Sequence, residues 1–215
     1  MSPGVEVFHT FIPDGTLTDR TFALNYAISF KNTAQFNIIG KETFQKLPAD
    51  FNVLDPKNEY DIFLKGQSFS WSEFSILYLS NTRKLLTYSF TAAGGEFYNG
   101  HRAGLAGTLA YRFQPFGSAS LTFDYNDIKL PEVYGSARFL LVSPRIDFTF
   151  TRTLFLTTFV QYNGRYDNVN LNARFQWRFK PASDFFIVYT ENYFPEQLLT
   201  KNRALVLKIT YWFNL

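Results

Sequence analysis

Four carboxylates, Glu96, Asp124, Asp147 and Glu191, and two histidines, His9 and His101, are the side chains of this chain best suited to proton transfer. Two carboxylates at a fixed separation hydrolyse glycosidic bonds, but no spacing in this sequence pairs any two of the four. Neutralisation of Arg112 or Arg145 is the plainer role for Asp124 and Asp147. The histidines stand far apart and the chain has no cysteine, so neither a zinc set nor thiolate chemistry is expected. His101 follows Asn99-Gly100 and reads as a solvated turn residue, which leaves a serine nucleophile without a base. Gly94-Gly95 reads as a strand bend or bulge rather than a phosphate cradle. No Gly-x-Ser-x-Gly elbow, P-loop or dinucleotide fingerprint occurs. The expectation is a chain that is not an enzyme, with no catalytic residue, no cofactor and no metal.

The remaining charges sit inside segments that alternate. Val169, Leu171, Ala173, Phe175, Trp177 and Phe179 interleave with Asn170, Asn172, Arg174, Gln176 and Arg178. At the end of the chain, Leu205, Leu207, Ile209, Tyr211, Phe213 and Leu215 interleave with Val206, Lys208, Thr210, Trp212 and Asn214. In an extended strand, successive side chains point to opposite faces, so each segment has one apolar and one polar face. The same dyad recurs over residues 22–30, 105–113 and 121–126, and more weakly over 5–12, 34–44, 69–80, 85–97, 137–151, 154–163 and 185–193. Pro144 interrupts the 137–151 segment and predicts a bulge or a change of facing there. Roughly twelve strands of about 9–14 residues result, the length a tilted strand needs to cross a bilayer.

Composition agrees with this pattern. Hydrophobic residues are 46% of the 215 positions and aromatics 20%, yet charged residues are only 18%, and the mean hydropathy is −0.13. No run approaches the roughly 18 apolar residues of a transmembrane helix. Short turns at 31–33, 81–83, 114–117, 151–153 and 180–183 alternate with mostly longer polar links at 13–19, 47–67, 127–135 and 194–202. Bacterial barrels show this asymmetry, and an even strand count places both ends on the periplasmic side. Aromatics near strand ends, such as Phe30, Phe113, Tyr125, Tyr162, Tyr193 and Tyr211, fit interfacial girdles.

The fold expected is an all-β, antiparallel up-and-down transmembrane barrel of the bacterial outer membrane, one domain over residues 1–215 or the C-terminal part of a larger barrel. Leu24, Ile28, Leu109, Phe123, Leu171, Phe175, Leu207 and Ile209 are expected to face lipid. Asn25, Thr108, Asn172, Gln176 and the charged Arg112, Asp124, Arg145, Asp147, Arg174, Arg178 and Lys208 are expected to face the lumen. Tyr211, Phe213 and Leu215 form the expected C-terminal signal for the outer-membrane assembly machinery. The alternative is a soluble sheet with one solvated face. The net charge of +3 is scattered, with no basic cluster, so nucleic acid is not an expected partner. Met1 opens on no signal peptide, so either numbering begins after processing or more chain lies upstream.

The runs 151–163, 170–181, 184–192 and 202–215 resemble the C-terminal region of a Bacteroidetes-type outer-membrane family, the domain of unknown function 5916. Its members typically join an N-terminal domain similar to carbohydrate-binding family 9 to a C-terminal barrel. The resemblance implies a location and, through the full-length protein, a polysaccharide or oligosaccharide partner. Two roles follow: a pore or transport element for small polar solutes, or a filled barrel anchoring an upstream domain.

Overall fold

The computed structural model describes residues 1–54 and 62–213. Twelve strands follow one another: β1 (Ser2–Phe11), β2 (Leu17–Ser29), β3 (Gln35–Lys46), β4 (Ser68–Leu79), β5 (Leu86–Phe97), β6 (Gly100–Phe113), β7 (Gly117–Lys129), β8 (Ser136–Thr151), β9 (Leu154–Asn163), β10 (Asn168–Lys180), β11 (Ser183–Tyr193) and β12 (Thr200–Thr210). One 3-10 turn, Glu132–Tyr134, lies between β7 and β8. Each strand is hydrogen-bonded to its sequence neighbours, in one sheet ordered β1 to β12. Among the described residues no ladder joins β1 to β12. The all-β, antiparallel, up-and-down arrangement of twelve strands is therefore as expected, in a sheet that does not close.

The connections alternate in length only in part. Residues 30–34, 114–116, 152–153 and 181–182 make turns and 47–67, 130–135 and 194–199 are longer, but 80–85 on the first side spans six residues and 98–99 on the second only two. Thr33 and Ala182 adopt positive φ of 73° and 57° to reverse the chain within two such turns. At Gly95, φ is 155° and an added Cβ would lie 2.4 Å from the carbonyl oxygen of Ser72. The bend expected at Gly94-Gly95 is thus a close backbone approach that excludes any side chain.

Register assigns the faces. Leu24 pairs with Gly40 and Asn25 with Ile39, so Leu24, Tyr26 and Ile28 share a face opposite to Ala23, Asn25 and Ala27. In β2, β5 and β6 the apolar face is the more exposed one. In β5, Leu86, Tyr88, Phe90 and Ala92 are exposed while Thr87, Ser89, Thr91 and Ala93 are half-buried. In β6, Leu105, Leu109 and Tyr111 are exposed while Arg102, Thr108 and Arg112 are half-buried. Leu24 is 52% exposed and Leu207 62%. Buried apolar side chains among the described residues are confined to Ala23, Ala34, Leu47, Leu54, Phe63, Trp71 and Ile128.

The contacts divide the chain into two units, residues 1–83, 89–107 and 124–139, and residues 84–88, 108–123 and 140–215. All of the buried apolar side chains belong to the first. There Phe63, 1% exposed, packs its ring against Phe69, Tyr98 and Tyr134, and Trp71 stacks on Tyr98. Residues 47–54 and 62–67 thereby fold onto the ends of β4 and β5, held by paired hydrogen bonds between Phe51 and Phe63.

The second unit holds two departures from the expected strands. Pairing runs Val142↔Tyr162 on one side of Pro144 and Arg145↔Phe159 on the other, which is one unbroken register. Pro144 therefore neither bulges β8 nor changes its facing. The terminal strand begins earlier and ends earlier than alternation implies, at Thr200–Thr210. Its partner β11 starts at Ser183, and Asp184 already pairs with Thr210, so residues beyond have no strand to continue on. Trp212 N–H donates instead to Ser183 Oγ at 3.0 Å.

Candidate functional site

On β8 to β12 the polar face carries most of the expected charged residues. Arg145 and Asp147 point the same way from β8 and form a bidentate pair, Nε to Oδ2 2.8 Å and Nη2 to Oδ1 2.9 Å. Thr157, opposite Asp147 in the ladder, donates its hydroxyl to Oδ1 at 2.9 Å. Next in that row stands Arg174, paired with Thr157. It lines a hollow of about 280 Å³ with Asp147, Thr157, Gln176 and Arg178. Arg178 Nε lies 3.2 Å from Asp184 Oδ1, which Gln176 Nε2 also reaches at 2.9 Å. Lys208, opposite Phe186, completes the set on β12 and is exposed. Two carboxylates thus face four cations, and the excess positive charge suits attraction of anionic or strongly polar solutes.

Farther along the same strands, toward the 164–167 and 194–199 connections, the polar face changes character. Asn168 and Asn170 each donate Nδ2 to Asn192 Oδ1, at 3.1 and 2.9 Å. Asn192 donates Nδ2 to Asn202 Oδ1 at 2.7 Å, and Asn172 donates Nδ2 to Thr190 Oγ1 at 2.8 Å. Gln161 and Asn163 lie opposite Asn170 and Asn168 on β9. The sequence showed Asn170 and Asn172 on the polar side of an alternating segment. Their cross-strand partners are visible only once register is known.

Glu191 lies on the other face. Asp147 pairs with Thr157, Thr157 with Arg174 and Arg174 with Val188, and Glu191 is three residues from Val188. A carboxylate pair of Asp147 and Glu191 flanking one bond is therefore ruled out by pleat parity. Glu191 is 5% exposed and accepts hydroxyl hydrogen bonds from Tyr189, from Tyr193 at 2.5 Å and from Thr200 at 2.6 Å. It pairs with Arg203 in the ladder. Three hydroxyls around one carboxylate make a clasp between β11 and β12.

In the first unit the strongest polar cluster centres on Glu73, which the sequence did not single out. Arg102 Nη2 lies 2.5 Å and Lys41 Nζ 3.6 Å from its carboxylate. Asp124 accepts from Asn126 Nδ2 at 2.5 Å, and Glu96 accepts the Ser72 N–H at 3.1 Å where the β4–β5 ladder stops. Between β5 and β6, Tyr98 donates its hydroxyl to Gln45 Oε1 at 2.7 Å, and Gln45 Nε2 donates to Asp19 at 3.2 Å. Burial, with the Asp19 charge beyond, pushes the Tyr98 hydroxyl up to about 12. Arg112, in the second unit, donates Nη2 to the carbonyl of Lys84 at 2.7 Å.

The C-terminal aromatics lie at the end of β12. Trp177 and Phe179 pack together at 5.7 Å, Phe179 and Tyr211 at 6.3 Å, and Tyr211 and Phe213 at 4.8 Å. Lys180 Nζ sits 3.2 Å from the Tyr211 hydroxyl. Leu215 and Asn214 lie outside the described residues. His9 stacks on Phe11 within β1, and His101 is exposed at the second position of β6. No group of three or more histidine, aspartate or glutamate side chains among the described residues is placed to hold a metal ion. No family model, curated protein or solved structure matches this chain.

Proposed function

We propose that this chain forms the wall of a bacterial outer-membrane barrel and that its polar face lines a passage for small polar solutes. One observation carries the reading: along β2, β5 and β6 the apolar side chains are the exposed ones and the polar side chains of the opposite face are the more shielded ones. A water-soluble sheet has no reason to present Leu, Phe and Tyr in continuous rows while sheltering Thr, Ser and Arg. A bilayer supplies the reason, since it solvates the exposed row and leaves the backbone satisfied strand to strand. The resemblance to the domain of unknown function 5916 enters as a further proposal with the same location. A carbohydrate partner follows from it in the same way, and the outer-membrane assembly machinery is proposed as a partner from the terminal Tyr211, Phe213 and Leu215.

Reconstitution into planar bilayers tests the reading. Stable conductance steps are expected, with a preference for anions from the arginines around Asp147. Arg174→Glu should shift the reversal potential in a salt gradient toward cation preference. Protein that inserts but never conducts would favour the second reading, a filled barrel that anchors an upstream domain. That reading has its own support in the aromatic cluster that packs residues 47–54 and 62–67 around Phe63. Protein that stays fully soluble without detergent would overturn both.

A further inference from the structure

On the polar face of β8 to β12, charge and neutrality divide along the strands. Asp147, Arg174, Arg178, Asp184 and Lys208 occupy one half, and Arg145, in the row of Phe159, Asn172 and Thr190, marks the boundary. The other half, up to the 164–167 and 194–199 connections, presents Gln161, Asn163, Asn168, Asn170, Asn172, Thr190, Asn192 and Asn202, with no ionisable side chain among these ladder positions. We propose that this amide field is a binding site for an uncharged polyhydroxylated solute, of the chemical class of neutral oligosaccharides. The proposal rests on the reading above that the polar face lines a passage.

The hydrogen bonds within the field leave it open to a ligand. They run in one direction, from β10 to β11 to β12. Asn168, Asn170 and Asn172 each spend one N–H, and their carbonyl oxygens accept nothing among the described side chains. Asn202 accepts through its carbonyl and keeps both N–H groups. The internal bonds fix the orientation of each amide, so the acceptors of β10 and the donors of Asn202 on β12 share one face of the sheet, separated by β11, without further ordering cost. Same-face residues repeat at roughly 7 Å along a strand and about 4.8 Å across strands, spacings on the scale of a pyranose ring. A hydroxyl both donates and accepts, and so does a primary amide. The cations at the edge of the field are already engaged, Arg145 by Asp147 and Lys201 by the Asp167 carbonyl at 2.5 Å, and a charged solute gains more from the arginines of the other half. Phe159, opposite Asn172 on the same face, adds the apolar surface on which a sugar can lay its C–H side.

The full chain in detergent micelles or nanodiscs, titrated with maltohexaose and with the anionic hexamer of galacturonic acid, tests the site by saturation-transfer NMR and calorimetry. The neutral hexamer should bind, and Asn170→Leu and Asn192→Leu should each weaken it at least tenfold. Leu171→Ala, on the opposite face, should leave binding within twofold of wild type and shows that a folded variant reports faithfully. Tighter binding of the galacturonate, no binding of either hexamer at millimolar concentration, or unchanged binding in both asparagine variants would overturn the proposal. The same samples, assayed for bilayer insertion and conductance, separate the two ideas. A conducting protein without the neutral-sugar site loses only the site, whereas a binding protein that never inserts loses the passage.

Discussion

The Tyr98 hydroxyl is raised to about 12 because the ring is enclosed by Phe63, Phe69 and Trp71 and because the Asp19 carboxylate lies beyond Gln45. The unfolded value is about 10, so the folded state holds this proton more tightly than the unfolded chain does. Stability from the protonated hydroxyl is fully present below pH about 10 and is lost as pH rises from there through about 12. Absorbance at 295 nm during an alkaline titration should show one fewer late-titrating tyrosine in Tyr98→Phe than in wild type, and the variant should hold residues 47–54 and 62–67 in place to higher pH. A tyrosine titrating with the exposed ones would mean that this aromatic cluster is not packed in solution. At this scale the sequence was partly legible. Arg145 and Asp147 sit two apart on one strand, so alternation alone places them together. Glu73, Lys41 and Arg102 come from three strands, and no local pattern brings them to one point. Glu191 was assigned to neither face by the sequence, and only register puts it on the apolar one, where the Tyr189, Tyr193 and Thr200 hydroxyls meet its carboxylate.

Among the elements, type and order were legible because period-two alternation and turn residues are local signals. Their ends were not, because a strand stops where its neighbour stops. The ladder ends at Asp184 and Thr210 although the apolar alternation of the sequence continues past Tyr211. Pro144 shows the reverse, a local breaker overridden by pairing that holds on both sides of it. Tyr211 and Phe213 remain on the row begun by Trp177 and Phe179, where aromatic and lysine side chains fit a membrane interface. At interfacial depth, Phe213→Lys should cost only about 0–1 kcal/mol, and thermal loss of heat-modifiable mobility should barely change. A sharp fall in membrane-fraction yield at unchanged thermal stability would then point to failed recognition by the assembly machinery. Wild-type yield would remove these aromatics from that role and leave them as girdle residues only.

For the whole molecule, the question is which solvent the exposed apolar rows meet, and one pair of substitutions decides it. Leu24 is 52% exposed near the middle of β2, and its neighbour Asn25 occupies the opposite face. If water bathes the apolar face, Leu24→Arg is a surface change worth within about 0.5 kcal/mol, and it should improve solubility. If hydrocarbon bathes it, the guanidinium is placed near the bilayer midplane and the cost is about 2–4 kcal/mol. Asn25→Arg carries the same charge at the same height on the polar face, where water or a countercharge can meet it, and should be mild. Leu207→Arg against Lys208→Arg repeats the contrast on β12, in the other unit, where Leu207 is 62% exposed. Equilibrium unfolding in lipid vesicles, followed by tryptophan fluorescence, measures all four variants. Large costs for Leu24→Arg and Leu207→Arg with small costs for their neighbours are expected. Equal small costs throughout would sink the membrane reading and leave a sheet whose apolar rows are covered by protein or open to water.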